Sequence, residues 1–163
     1  MHRIALLALF ASTLTGCQEA APGSAGAVVE TAGGAIVDPA SGASCAGHDV
    51  RLTHDDFRLV LEGDCGEITV TGSNGSLNVT HARSLQVAGD RVTVINERVD
   101  TALVTGRNVT LNLTQVGQAE LGGSDNLLMA RQVDKLRFTG NDNTANVNNV
   151  GAVEDSGRGN KVL

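Results

Sequence analysis

The amino-acid sequence predicts an all-β protein, and within that class a β-solenoid of about seven 17-residue rungs with two short strands per rung. Three observations carry this expectation. Glycines stand at Gly72, Gly89, Gly106, Gly123, Gly140 and Gly157, each 17 residues after the last. Aligned on that glycine, apolar residues form columns at offsets two apart, the period of a strand with one face inward. The chain has no Trp and no Tyr, which suits a narrow interior where medium-sized aliphatic side chains stack on their own kind. An antiparallel β-meander or barrel built from 17-residue hairpins satisfies the same alternation and is the rival architecture.

In chain order, residues 1–16 come first. Met1-His2-Arg3 is a short basic start, Ile4 to Ala11 is apolar, and small residues follow. That is the layout of a secretory signal peptide, and the apolar run is too short for the roughly 20 residues of a bilayer-spanning helix. The exit Leu14-Thr15-Gly16-Cys17 resembles the lipobox of bacterial lipoproteins. The resemblance implies lipidation of Cys17, which would become the first residue of the mature chain, and a location at the cell envelope, exported and membrane-anchored. Several acyl chains hold firmly where one is marginal, each buried CH₂ contributing about 0.8 kcal/mol.

Residues 17–44 read as a flexible tether, rich in Ala, Gly and Ser and holding the only two prolines, Pro22 and Pro39. As a coil such a segment spans on the order of 30 Å. Its short apolar pairs, Val28-Val29 and Ile36-Val37, are the places that could dock as a cap.

Residues 45–163 are the β-repeat domain. Two places before the glycine stand Val70, Val87, Val104, Leu121, Phe138 and Asp155; four before, Ile68, Leu85, Ala102, Ala119, Leu136 and Val153. Five after stand Leu77, Val94, Leu111, Leu128, Ala145 and Val162; seven after, Val79, Asn96, Leu113, Ala130 and Val147. Seven before, the column runs Cys65, Ala82, Val99, Val116, Val133 and Val150. A degenerate earlier copy puts Val50, Leu52, Leu59 and Leu61 inward and His54 at the glycine position, 18 residues before Gly72. The glycine marks a turn between the two strands of a unit, where its tolerance of positive φ is an advantage.

Of the three cysteines, lipidation of Cys17 leaves Cys45 and Cys65. An exported compartment permits a disulfide between them, closing a loop of about 20 residues and contributing about 3 kcal/mol; two free thiols are the alternative.

The Cys-Gly-x-Ile-x-Val-x-Gly-Ser-Asn run from Cys65 to Asn74, the preceding Cys45 and the later Gly-plus-Asn/Asp turns resemble the bacterial family catalogued as domain of unknown function 3060. The resemblance covers residues 45–163. It implies a small exported or lipidated protein and a Cys45–Cys65 pairing, and it carries no catalytic residues. The sequence departs from the pattern at Gly75, where a second Asn would stand, and at Asp90-Arg91.

Candidate chemistry is sparse. His48, His54, Asp55, Asp56 and His81 cluster near the first rungs, but their spacing fits no compact metal-ligand motif. Solvated turn positions are the expectation there, with no metal and no cofactor. Gly122-Gly123-Ser124-Asp125-Asn126 and Gly140-Asn141-Asp142-Asn143 share composition with calcium-binding β-rolls, whose period is about nine residues and does not fit. The better candidate is the outward face of the second strand: Ser76 and Asn78, Thr93 and Ile95, Thr110 and Asn112, Leu127 and Met129, Thr144 and Asn146. Of these, Thr93, Thr110, Asn112, Thr144 and Asn146 are the candidate binding residues, because regularly spaced hydroxyl and amide groups suit a repetitive ligand. Leu127 and Met129 interrupt an ice-like lattice and, with Ile95, form a mild apolar patch.

No nucleophile elbow, phosphate-cradling loop or zinc-protease helix is present, so the chain reads as non-enzymatic. A net charge of −6 with scattered basic residues argues against nucleic acid. The expected partners are the membrane, through the lipid anchor, an envelope polysaccharide or protein, and a second copy joined through an open C-terminal β-edge.

Overall fold

The computed structural model describes residues 34–163, so the signal segment, Cys17 and Val28-Val29 lie outside the described residues. The strands are β1 (Ala35–Val37), β2 (Ala43–Ser44), β3 (Asp49–Leu52), β4 (Arg58–Val70), β5 (Ser76–Val87), β6 (Thr93–Val104), β7 (Thr110–Leu121), β8 (Leu127–Phe138), β9 (Thr144–Asp155) and β10 (Lys161–Val162). Every pairing is parallel and joins successive coils in the order β1-β3-β4-β5-β6-β7-β8-β9-β10, with β2 on β4. Parallel neighbours one repeat apart make a β-solenoid and exclude the antiparallel meander.

The coil makes about eight turns at roughly 17-residue spacing, one more than the sequence columns count. The extra turn starts inside the expected tether. Ile36 pairs with Val50 and is 2% exposed. Ala43 pairs with Leu61. Ile36-Val37, one of the two apolar pairs of that segment, docks, and among the described residues the coil is already present at Ala35, ten residues before Cys45.

Within a rung the two expected strands run together as one strand of 12 residues in β5 to β9. Bends replace the break. Between β5 and β6 the pairing skips Thr80 and Arg83, and buried residues fall at Leu77, Val79, Ala82, Leu85 and Val87, so strict alternation lapses where the chain changes direction. The columns read from the sequence point inward: Leu77, Val94 and Leu128 are fully buried, as are Val70, Val87 and Val104. In the first rung, 18 residues long, Leu61 still pairs with Val79 at an offset of 18, whereas Asp64 pairs with His81 at 17. The surplus residue is taken up by a bulge at Gly63, whose φ is 93°.

The repeat glycine has a different task from the expected one. Positive φ falls two places later, on Asn74, Arg91, Asn108, Asp125 and Asp142. The glycine itself is needed because the coils touch there. A methyl on Gly89 would lie 1.9 Å from the carbonyl oxygen of Gly72, and one on Gly123 would lie 1.8 Å from that of Gly106. His54, at the degenerate position, presents its carbonyl to Gly72 in the same way.

Three places after the glycine lies a sixth inward column that the sequence reading passed over: Phe57, Gly75, Val92, Val109, Asn126, Asn143 and Asn160. Val92, Val109 and Asn143 are fully buried, and the Phe57 ring occupies the space a side chain at Gly75 would need. In the last rungs the column becomes an asparagine ladder. Asn126 Nδ2 donates to Gly106 O (3.1 Å), Asn143 Nδ2 to Gly123 O (3.1 Å) and Asn160 Nδ2 to Gly140 O (3.0 Å). Their Oδ1 atoms accept from the amides of Val109, Asn126 and Asn143 one rung below. Each buried amide side chain thus satisfies turn backbone that would otherwise lose its water without replacement.

Cys45 and Cys65 form a disulfide, their Cα atoms 4.9 Å apart. It ties the start of the first rung to its end, next to the bulge at Gly63.

Candidate functional site

The outward face of β5 to β9 is built by register. Ser76, Thr93, Thr110, Leu127 and Thr144 are paired in line, and so are Asn78, Ile95, Asn112, Met129 and Asn146. Leu77, Val94, Leu111, Leu128 and Ala145 lie between the two columns and point inward, all buried, which fixes the outward direction of the flanking positions. Of the candidate binding residues, Thr93, Asn112 and Asn146 are exposed, and Thr110 and Thr144 are half-buried. Leu127 and Met129 are half-buried between the polar rungs, while Ile95 is exposed.

Two features of this face lie outside the sequence reading. Val60 of β4 pairs with Asn78 and extends the outer column by one rung; it is 46% exposed. Beside the column runs a shallow groove lined by Asn112, Met129 and Asn146 on one side and by Thr114, Arg131 and Asn148 on the other. The signal for Val60 was present in the degenerate copy, where Val60 stands between the inward Leu59 and Leu61 and 18 residues before Asn78.

A second concavity follows the opposite run of the strand, lined by Ser84, Thr101, Leu103, Gln118, Lys135 and Arg137, with Ala102 and Ala119 beneath. Its charged groups are already engaged. Lys135 Nζ lies 3.0 Å from Glu154, and Arg137 bridges Glu120 (3.7 Å) and Glu154 (3.8 Å). The hydrogen bond and charge of Lys135 hold the Glu154 carboxyl below its ordinary value. Both acids are matched by cations, and the Glu120 carboxylate also accepts from the Thr139 hydroxyl (3.0 Å).

The histidine and aspartate cluster is dispersed over the first rungs. His48 Nδ1 lies 2.8 Å from the Ala46 carbonyl, His54 Nδ1 2.9 Å from Asp38, and His81 Nδ1 2.7 Å from Asp64. Among the described residues no three His, Cys, Asp or Glu side chains converge as a metal site. Asp38 locks the first turn: its Oδ2 accepts from the Thr53 hydroxyl at 2.5 Å and its Oδ1 from the Thr53 amide at 2.7 Å. Burial raises its pKa, but these bonds, the His54 amide and the His54 charge outweigh burial and hold it below the ordinary value. Of the calcium-like turns, Asp125 and Asp142 adopt positive φ at turn corners while Asn126 and Asn143 point into the ladder.

The chain matches no family model, no curated protein and no solved structure.

Proposed function

We propose that the protein is a lipid-anchored lipoprotein of the bacterial cell envelope. Exported by residues 1–16 and anchored through Cys17, it presents a rigid solenoid as a non-enzymatic binding or structural module for an envelope polysaccharide. The observation that carries this reading is the in-register outward face from Ser76 to Asn146, in which hydroxyl and amide side chains recur along the coils, interrupted by Ile95, Leu127 and Met129. A repeating surface suits a repeating ligand, and adhesion gains from many weak contacts in series. The Cys65 to Asn74 motif and the paired Cys45 support placing the chain with the domain of unknown function 3060 family, whose members are commonly exported or lipidated.

The test is binding to isolated peptidoglycan or envelope polysaccharide in a sedimentation assay. Thr110→Lys together with Asn112→Lys is expected to abolish retention by placing two cations in the centre of the face. Absence of retention for the unaltered protein would remove the proposal.

A second reading is self-association through the C-terminal end. Among the described residues, β10 covers only Thr144 and Ala145, so the rest of β9 has no strand beyond it and Val153 is 45% exposed. Sedimentation velocity is expected to show concentration-dependent growth if that edge recruits a second copy, and a strict monomer at high concentration would eliminate this reading.

A further inference from the structure

The outer column has an order of its own. From β4 to β9 it reads Val60, Asn78, Ile95, Asn112, Met129, Asn146, with each residue paired directly to the next. Aliphatic and amide side chains alternate without exception. Rungs of a parallel sheet stand about 4.8 Å apart, so like residues recur about every 9.6 Å. The period of this face is therefore two rungs, although the period of the fold is one.

Charge narrows the ligand. In a chain of net charge −6, none of the ten face positions from Ser76 to Asn146 is ionisable. Charged residues flank this face rather than stand on it: Arg58 pairs with Ser76 at one end, Lys161 with Thr144 at the other, and Arg131 lines the groove beside Met129. An uncharged stripe is matched to an uncharged polymer, because hydroxyl and amide groups replace the water of a neutral sugar with no charge left to compensate.

We propose that this column binds an extended, uncharged β-1,4-linked glycan lying along the rod axis, one sugar per rung and one disaccharide per pair of rungs. In such a chain each sugar is rotated half a turn from the last, so the chemical repeat is the disaccharide, whose advance is close to that of two rungs. An aliphatic side chain then meets the apolar C–H surface of every second sugar. The intervening Asn78, Asn112 and Asn146 donate and accept hydrogen bonds on the sugars between them, with Thr93, Thr110 and Thr144 alongside. The shallow groove past Met129, bounded by Thr114, Arg131 and Asn148, gives the chain an edge to lie against. This assignment rests on the reading that the face binds a polysaccharide, and adds linkage, orientation and register to it.

The experiment is calorimetric titration of the full-length protein with cellohexaose, N-acetylated chitohexaose and maltohexaose. The first two are extended β-1,4 chains that separate a glucose from an N-acetylglucosamine source; the third is α-linked and coiled. At least one β-linked hexamer is expected to bind about tenfold or more tightly than maltohexaose, with affinity rising in steps of two sugars from dimer to hexamer. Ile95→Asn and Met129→Asn break the alternation, and each is expected to weaken binding about tenfold, as for loss of one buried aliphatic contact, while Ile95→Val stays within about twofold. Unchanged thermal melting of each variant separates loss of binding from loss of fold. Equal binding of α- and β-linked hexamers, or indifference to Ile95→Asn and Met129→Asn, overturns the assignment. If isolated envelope polysaccharide is retained but neither β-linked hexamer competes with it, the linkage and register fail while face binding stands. If no polysaccharide is retained, both fail.

Discussion

Gly122 and Gly123 are neighbours with opposite tolerances, and the reason is one carbonyl group. A methyl at Gly123 would meet the backbone oxygen of Gly106 at 1.8 Å, whereas one at Gly122 would meet the movable Thr139 hydroxyl at 3.1 Å. Other rungs carry Thr or Ala at the Gly122 position, as at Thr105 and Ala88. Gly123→Ala is therefore expected to cost about 3 kcal/mol or more by forcing two coils apart, with Gly122→Ala close to neutral. Equal urea midpoints for the two variants would refute the contact argument. Asn96 shows the reverse situation, a residue the fold tolerates rather than requires. It stands between Val79 and Leu113 in an apolar column, is 3% exposed, and neither its Nδ2 nor its Oδ1 has a hydrogen-bond partner. Asn96→Val is expected to raise unfolding free energy by about 1–3 kcal/mol, since it removes an unsatisfied amide and extends the aliphatic stack. A fall in stability on urea denaturation would show that the amide has work the structure does not display.

At the scale of the element, each coil closes through a turn whose inward position is filled in two ways. The early rungs use Phe57 over Gly75 and then Val92 and Val109; the late rungs use the Asn126, Asn143 and Asn160 ladder. The apolar version gains burial; the amide version secures the turn backbone. The first turn is locked differently, by the Asp38 carboxylate on Thr53. Because its folded pKa lies below the ordinary 3.8, its stabilisation is complete above that value and is lost as pH falls through the folded pKa. Amide exchange at Thr53 and His54 is expected to accelerate selectively below about pH 4, and Asp38→Asn should abolish the acid-dependent step. Exchange at Thr53 that is flat down to pH 2 would contradict this role.

For the whole molecule, strand contacts join neighbouring coils, with the Arg83–Asp49 ion pair (3.4 Å) reaching one coil further, so stability is close to a sum of rung terms and interfaces between rungs. Eight coils make a rod of about 40 Å. Interior coils have two interfaces. Among the described residues the end coils have fewer: β1 is short, and β9 is covered on its far side only as far as Val147, whose amide donates to the Leu163 carbonyl (3.3 Å). The Cys45–Cys65 disulfide ties one end, leaving the other to fray. Hydrogen exchange is expected to be slowest in β6 and β7 and fastest in residues 149–155, with reduction of the disulfide moving the N-terminal coils toward the fast end by about 3 kcal/mol. Uniform protection along the rod would show a single cooperative unit instead.

The sequence by itself determined the repeat, the inward columns and the outward Thr/Asn face, because each is a local periodicity that stacking preserves. Val50, Leu77, Val94 and Leu111 could be placed inward from spacing alone. Tertiary structure decided what depends on contact between coils: parallel pairing, the fusion of two strands into one bent strand, and the recruitment of Ile36. It also decided that the repeat glycine answers to a carbonyl one coil away rather than to its own φ, a distance that no single repeat contains. The sixth column had the right parity but mixed Phe, Gly, Val and Asn, so chemistry masked its geometry. The alternation of Val60, Asn78, Ile95, Asn112, Met129 and Asn146 belongs to the stack, because each coil supplies one member and only their direct pairing makes a column of them.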